Sequence, residues 1–133
     1  MEFNILYETW EMECCGIPFS VGDTVKWLVS KADKLITPIN PGVIDYCYDA
    51  HSSDVLSLRV LEGKVETIKI LYQQYATSKD NPHMLVPISG KLFDTQNAKG
   101  FEKDIGDMKA SSYIVSLTEC QLRPARKEDV TFK

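Results

Sequence analysis

Apolar and polar residues alternate along much of this chain, most clearly at residues 64–75. There Glu66, Ile68, Ile70 and Tyr72 share one face and Val65, Thr67 and Lys69 the other, the period of a β-strand. Residues 3–12 carry aromatic and β-branched side chains in partial alternation and predict a first strand. Cys15-Gly16-Ile17-Pro18-Phe19 breaks it as a turn. Val21-Gly22-Asp23 then leads into a second strand at residues 24–29, an entry common in small SH3-like and OB-like barrels. Residues 31–39 read as irregular. Asn40-Pro41 has the form of a helix start. From there Ile44, Cys47, Tyr48 and His51 recur at i, i+3, i+4 and i+7, which predicts one short helix ending near His51.

Strand patterning resumes at residues 55–61, with Gly63 as a turn or bulge before the strand at 64–75. Residues 77–82 form a polar loop. A short strand at 84–88 is pushed towards a sheet edge by Pro87, and Ser89-Gly90 turns into Lys91-Leu92-Phe93. Residues 94–110 read as a long loop or poor helix anchored by Phe101, Ile105 and Met108. A late strand follows at 112–117. The expected fold is mainly β with one short helix, as a small curled sheet or an SH3-like or OB-like barrel. A single domain spans residues 1–122, and residues 123–133 form a loosely held tail in which Arg123 and Arg126 decorate the surface.

Composition narrows the function classes. The chain has 133 residues, 44% hydrophobic and 26% charged, enough apolar material for one core. Its formal charge of -4 gives no field that draws it to phosphate backbones, so nucleic acid is not the expected partner. The opening Met1-Glu2-Phe3-Asn4 lacks the pattern of a secretory signal, and no apolar run approaches bilayer length. A cytoplasmic location away from membranes is therefore expected. The cysteines Cys14, Cys15, Cys47 and Cys120 are then expected as thiols, since neighbouring cysteines strain a mutual bridge.

Residues 10–27 are the least generic stretch. Trp10, Met12, Cys14-Cys15-Gly16, Pro18-Phe19, Val21-Gly22-Asp23, Val25 and Trp27 give the pattern W-x-M-x-C-C-G-x-P-F-x-V-G-D-x-V-x-W. It resembles an uncharacterised bacterial family known as domain of unknown function 6578. The likeness continues through Tyr46, His51, Gly63-x-Val65, Ile68, Tyr75-Ala76, Pro87-x-Ser89-Gly90 and Tyr113-Ile114-Val115-x-Leu117. The resemblance implies a bacterial source and a shared fold, and it brings no activity with it.

Candidate chemistry gathers around the vicinal cysteines. Cys14 and Cys15 can bind a metal or act as a redox pair, but cysteine is also a small hydrophobe that packs well in a turn, and that reading is preferred. On a helix, Cys47 and His51 would share one face at a spacing suited to zinc. With Cys14 and Cys15 they make a candidate zinc site, against the alternative of a packed helix face. A Cys14 or Cys15 nucleophile with His51 as base and Asp45 or Asp49 as orienter rests on residue types alone. No G-x-S-x-G, Walker loop, dinucleotide glycine motif or H-E-x-x-H is present. Catalysis is left open, with the balance against it.

The expectation is a small non-catalytic binding or assembly domain for an unidentified protein or small-molecule partner, with a homodimer left open. Its candidate site residues are Cys14, Cys15, Trp10, Tyr48 and His51. The alternative is a thiol- or metal-dependent site where the Cys-Cys-Gly turn meets the Cys47/His51 helix. Aromatic residues Trp10, Trp27, Tyr72, Tyr75 and Phe93 could form a binding platform, although Trp27 and Tyr72 are expected in the core.

Overall fold

The computed structural model describes residues 1–32, 42–49 and 55–130. In chain order its elements are β1 (Phe3–Glu8), α1 (Thr9–Cys15), β2 (Phe19–Ser20), β3 (Thr24–Lys31), β4 (Tyr46–Tyr48), β5 (Leu58–Thr77), β6 (Leu85–Thr95), β7 (Asn97–Ala98) and β8 (Lys109–Pro124). Single 3-10 turns precede β5 (Val55–Ser57) and follow β8 (Lys127–Val130). Alternate residues of the long strands supply one core: Ile5 and Tyr7 of β1, Trp27 and Val29 of β3, Ile68, Ile70 and Tyr72 of β5, and Tyr113, Val115 and Leu117 of β8. This is the period-two burial that a curled sheet imposes on its concave face. A smaller cluster of Leu58, Val60 and Ala125 packs separately.

The main sheet runs β3-β4-β1-β8-β5-β6, and β3 also pairs with β5. The ladders therefore return to their start: β3 to β4, β4 to β1, β1 to β8, β8 to β5, and β5 back to β3. All are antiparallel except β1–β4, where Ile5 faces Tyr46 and Leu6 faces Cys47. A small sheet of β2 and β7 lies beside them.

One strand makes this return feasible. β5 is 20 residues long. Its first part, from Leu58 to Lys64, pairs with β3, and its second, from Ile68 to Thr77, pairs with β6. The change of neighbour falls at two irregularities against β8. Glu62 faces Gln121 and Lys64 faces Thr118, so Glu119 and Cys120 stand against Gly63 alone. Bulges of this kind sharpen the local bend and twist. Glu119 takes the left-handed conformation there, with φ of 52°. Gly63 fits because a Cβ would lie 3.0 Å from Cys120 Sγ and 3.2 Å from both Leu117 Cβ and the Thr118 carbonyl oxygen.

The strand expected at residues 3–12 ends at Glu8, and residues 9–15 are helical. Glu11, Met12 and Glu13 favour a helix, and one turn of it places Met12 in the core beside Gly100. The helix expected to carry Cys47 is instead β4. Of the four residues at helical spacing β4 holds Cys47 and Tyr48, which a strand sends to opposite faces. The gap between β1 and β3 decides the matter, because both have backbone groups to satisfy along that edge. His51 lies outside the described residues. Of the expected anchors in 94–110, Phe101 and Ile105 are exposed, at 74% and 45%, and Met108 is partly buried; the buried residue of this stretch is Ala98, which was not expected. Of the turn or bulge expected at Gly63 the structure has the bulge, within the continuous β5, whereas the turn expected at Ser89-Gly90 falls inside the continuous β6.

β8 continues through Pro124, and hydrogen bonds fasten residues 125–129 beyond it. Ala125 N–H donates to the Leu58 carbonyl, and Arg123 grips the Asp129 carboxylate through two hydrogen bonds of 2.9 and 3.0 Å. Arg126 N–H donates to the same carboxylate at 2.7 Å.

Two outcomes follow from this arrangement. Gly63→Ala should destabilise the fold by about 1–3 kcal/mol through overpacking against β8; an unchanged denaturant midpoint would mean that the bulge tolerates a methyl group. The Arg123 hydrogen bonds hold the Asp129 carboxyl at about 2, below its ordinary 3.8. The fastening should therefore be complete above about pH 4 and be lost as pH falls through about 2. Amide exchange at Arg126 reports it, and the exchange should be set by local opening because the pair is only partly buried.

Candidate functional site

A cleft opens where β1, β3 and β4 meet the turn after α1. It encloses about 440 Å³, and its walls include Tyr7, Gly16, Pro18, Phe19, Trp27 and Tyr48. Strand alternation brings the rings together: Tyr7 in β1 and Tyr48 in β4 point to the side that Trp27 in β3 also faces. Tyr7 and Tyr48 stack with centroids 3.9 Å apart and planes 12° from parallel. Trp27 stands nearly perpendicular to both, 5.9 Å from Tyr48 and 5.2 Å from Tyr7. Phe19 meets Trp27 at 5.0 Å. Such offset and edge-on pairs each add about 0.5–1.5 kcal/mol beyond area burial, so the wall is rigid.

The turn after α1 closes over the Tyr7 hydroxyl. A Cβ at position 16 would collide with Tyr7 Oη and would lie 2.8 Å from Met12 Cα, so only glycine fits. Gly16 N–H is shared between the carbonyls of Glu11 and Met12, which ends the helix. The following turn is pinned just as locally. Ser20 N–H donates to the Asp23 carboxylate at 2.8 Å, Gly22 N–H donates to the Val65 carbonyl of β5 at 2.9 Å, and Val65 N–H donates to the Asp23 carbonyl at 2.8 Å. The stretch that carries the family resemblance thus supplies Gly16, Pro18, Phe19, Asp23, Val25 and Trp27 to one cleft.

Burial, then a hydrogen bond to Tyr48, pushes the Tyr7 phenol far above its ordinary 10.0. Tyr113 is also pushed well up, chiefly by burial. Its hydroxyl donates to Glu102 at 2.9 Å and accepts the Gly100 N–H at 3.0 Å, and the Tyr72 hydroxyl donates to the Lys103 carbonyl. Those phenols tie down the loop between β7 and β8. Asp23 and Lys26 bring opposite charges to the cleft's lining.

Of the residues singled out from sequence, Tyr48 is in the cleft. Trp10 is 51% exposed on α1, and its Nε1–H donates to the Glu8 carboxylate. Cys14 and Cys15 close α1 immediately before Gly16. Cys47 faces Leu6 and Ser30 in its ladders, and alternation sends it to the opposite side of β4 from Tyr46 and Tyr48. The helical face proposed for Cys47 is thus replaced by a strand that points this thiol away from the aromatic wall. Among the described residues no three His, Cys, Asp or Glu side chains are grouped to hold a metal. Tyr7, Phe19 and Gly16 were not singled out as site residues. Two neighbouring aromatic strands and a glycine followed by Pro18-Phe19 were the available signals.

Raised phenols make the fold sensitive to alkali. Their protons are held more tightly in the folded chain, so their contribution is full below about pH 10 and is lost as pH rises beyond it. Of six tyrosines, Tyr7 and Tyr113 should stay protonated at pH 11 and ionise only with unfolding. Absorbance at the phenolate band, compared with near-ultraviolet circular dichroism, tests this; ionisation of all six before any loss of structure would contradict it.

No helix among the described residues is long and apolar enough to cross a membrane. No curated protein and no solved structure matches the chain. A family model described as a family of unknown function, DUF6578, matches residues 1–119, and the chain belongs to that family.

Proposed function

We propose that this protein is a small non-catalytic binding domain whose cleft takes an uncharged, planar ligand or side chain against Tyr48 and Trp27. The observation that carries this reading is the stacked Tyr7–Tyr48 pair, met edge-on by Trp27 beside an open cleft of about 440 Å³. That volume lies within the range of small-molecule sites, which are mostly apolar with a few polar groups. Asp23 and Lys26 bring one charge of each sign, so a neutral guest leaves the balance undisturbed. Tyr7 supports binding rather than proton transfer, since a phenol with a strongly raised pKa stays protonated near neutrality. The unbridged Cys120 thiol suits a reducing compartment, which favours a cytoplasmic setting.

Indole is a suitable neutral probe. In a Trp10→Phe background the remaining indole N–H signal belongs to Trp27 and can be followed by NMR. Indole should shift it saturably, with a Kd on the order of 1 mM expected for so small a ligand. Tyr48→Leu should weaken binding several-fold while preserving the fold. No saturable shift at Trp27, or equal binding by the Tyr48 variant, would remove the basis of this reading.

A further inference from the structure

A second pocket, of about 350 Å³, lies at the far end of β3 and is lined by Phe3, Lys31, Asp45, Tyr46, Ser57 and Arg59. We infer that it is a binding site for a small aromatic carboxylate, with the ring against Phe3 and Tyr46 and the carboxylate between Arg59 and Lys31.

The ladders place these groups by register. Lys31 is the β3 partner of Tyr46, and Arg59 faces Val29 two positions earlier on the same strand. Phe3 and Tyr46 meet edge-to-face at 5.4 Å and 83°, forming an apolar wall with fixed geometry. Lys31 and Arg59 are exposed, and among the described residues neither has an ion-pair partner. Two cations from different strands against a single wall carboxylate, lining one aromatic-walled pocket, leave an excess positive charge that suits an organic anion. The guanidinium can grip a carboxylate through two parallel hydrogen bonds, and the ammonium adds a point charge.

Asp45 decides which anion fits. Its carboxylate accepts the Asn4 backbone N–H at 2.8 Å, and its own N–H donates to the Asn4 carbonyl at 2.9 Å, so it is built into the wall. Its negative charge offsets one of the two cations. A carboxylate monoanion neutralises what remains, whereas a phosphate dianion would leave excess negative charge beside Asp45. The Phe3–Tyr46 wall in turn favours an anion that carries a ring.

The test is an NMR titration of the whole protein with benzoate, with inorganic phosphate as the contrasting probe. Benzoate should shift the Asn4, Asp45 and Tyr46 amides saturably, and binding should weaken with added salt. Arg59→Gln, a change at an exposed position, should weaken binding at least tenfold, while Arg59→Lys should recover only part of it. Lys31→Gln should weaken it less. Absence of saturation at those amides, undiminished binding by Arg59→Gln, phosphate binding as tight as benzoate, or shifts confined to Trp27 would each overturn the assignment. Because the indole cleft is read at Trp27 and this pocket at Asp45, the two proposals fail independently.

Discussion

Backbone pairing that returns to its own beginning is the constraint on which the rest of this molecule depends. A curled sheet with an unpaired seam would leave rows of amide and carbonyl groups in search of partners. Here the seam is closed by the first part of β5, which bonds to β3 on one side and β8 on the other. Closure demands a sharp change of direction, and the pairing of Gly63 against two residues of β8 supplies it. β5 then parts from β3 and takes β6 as its neighbour while staying paired with β8, so one strand both completes the enclosure and extends the sheet beyond it.

The enclosed face is filled largely by rings, and this choice shapes the cleft. Aliphatic side chains can settle into many shapes, whereas stacked and perpendicular rings hold fixed angles and leave surface between them where they stop. Tyr7 sits at the centre, touching Tyr48, Trp27, Phe19 and Tyr113. Its hydroxyl end is covered by the glycine that terminates α1. The vicinal cysteines precede that glycine, so the unusual Cys-Cys-Gly sequence includes one position with a clear steric requirement. The helix also carries Met12 into the same core, which ties the short helical turn to the strands on either side.

Much of the fold could be read from the residues, because period-two burial is a local signal. The inward-facing Ile68, Ile70 and Tyr72 and the core position of Trp27 were legible in that way. What could not be read was decided at a distance. Thr9–Cys15 is helical because Met12 finds Gly100 nearly ninety positions later, and Tyr46–Tyr48 is a strand because β1 and β3 leave a gap of one strand's width. Helical spacing of Ile44, Cys47 and Tyr48 carried no information about that gap. Among the candidate site residues, Tyr48 entered the cleft for a reason opposite to the one first given: it lies on a strand, and that geometry separates it from Cys47. Gly16 stood in the quoted pattern, yet its role depends on a hydroxyl from β1 that no local rule could place beneath it.

The pairing of β1 with β8 has a consequence for how the protein is made. Asn4 and Ser116, joined side chain to side chain at 2.8 Å, are 112 positions apart. A nascent chain leaving the ribosome therefore presents its first strand long before that strand's antiparallel partner has been synthesised. At about 5–20 residues per second the delay lasts several seconds or more. Throughout that interval Ile5 and Tyr7 have no completed core to enter, so chaperone binding during translation would act on the earliest part of this chain.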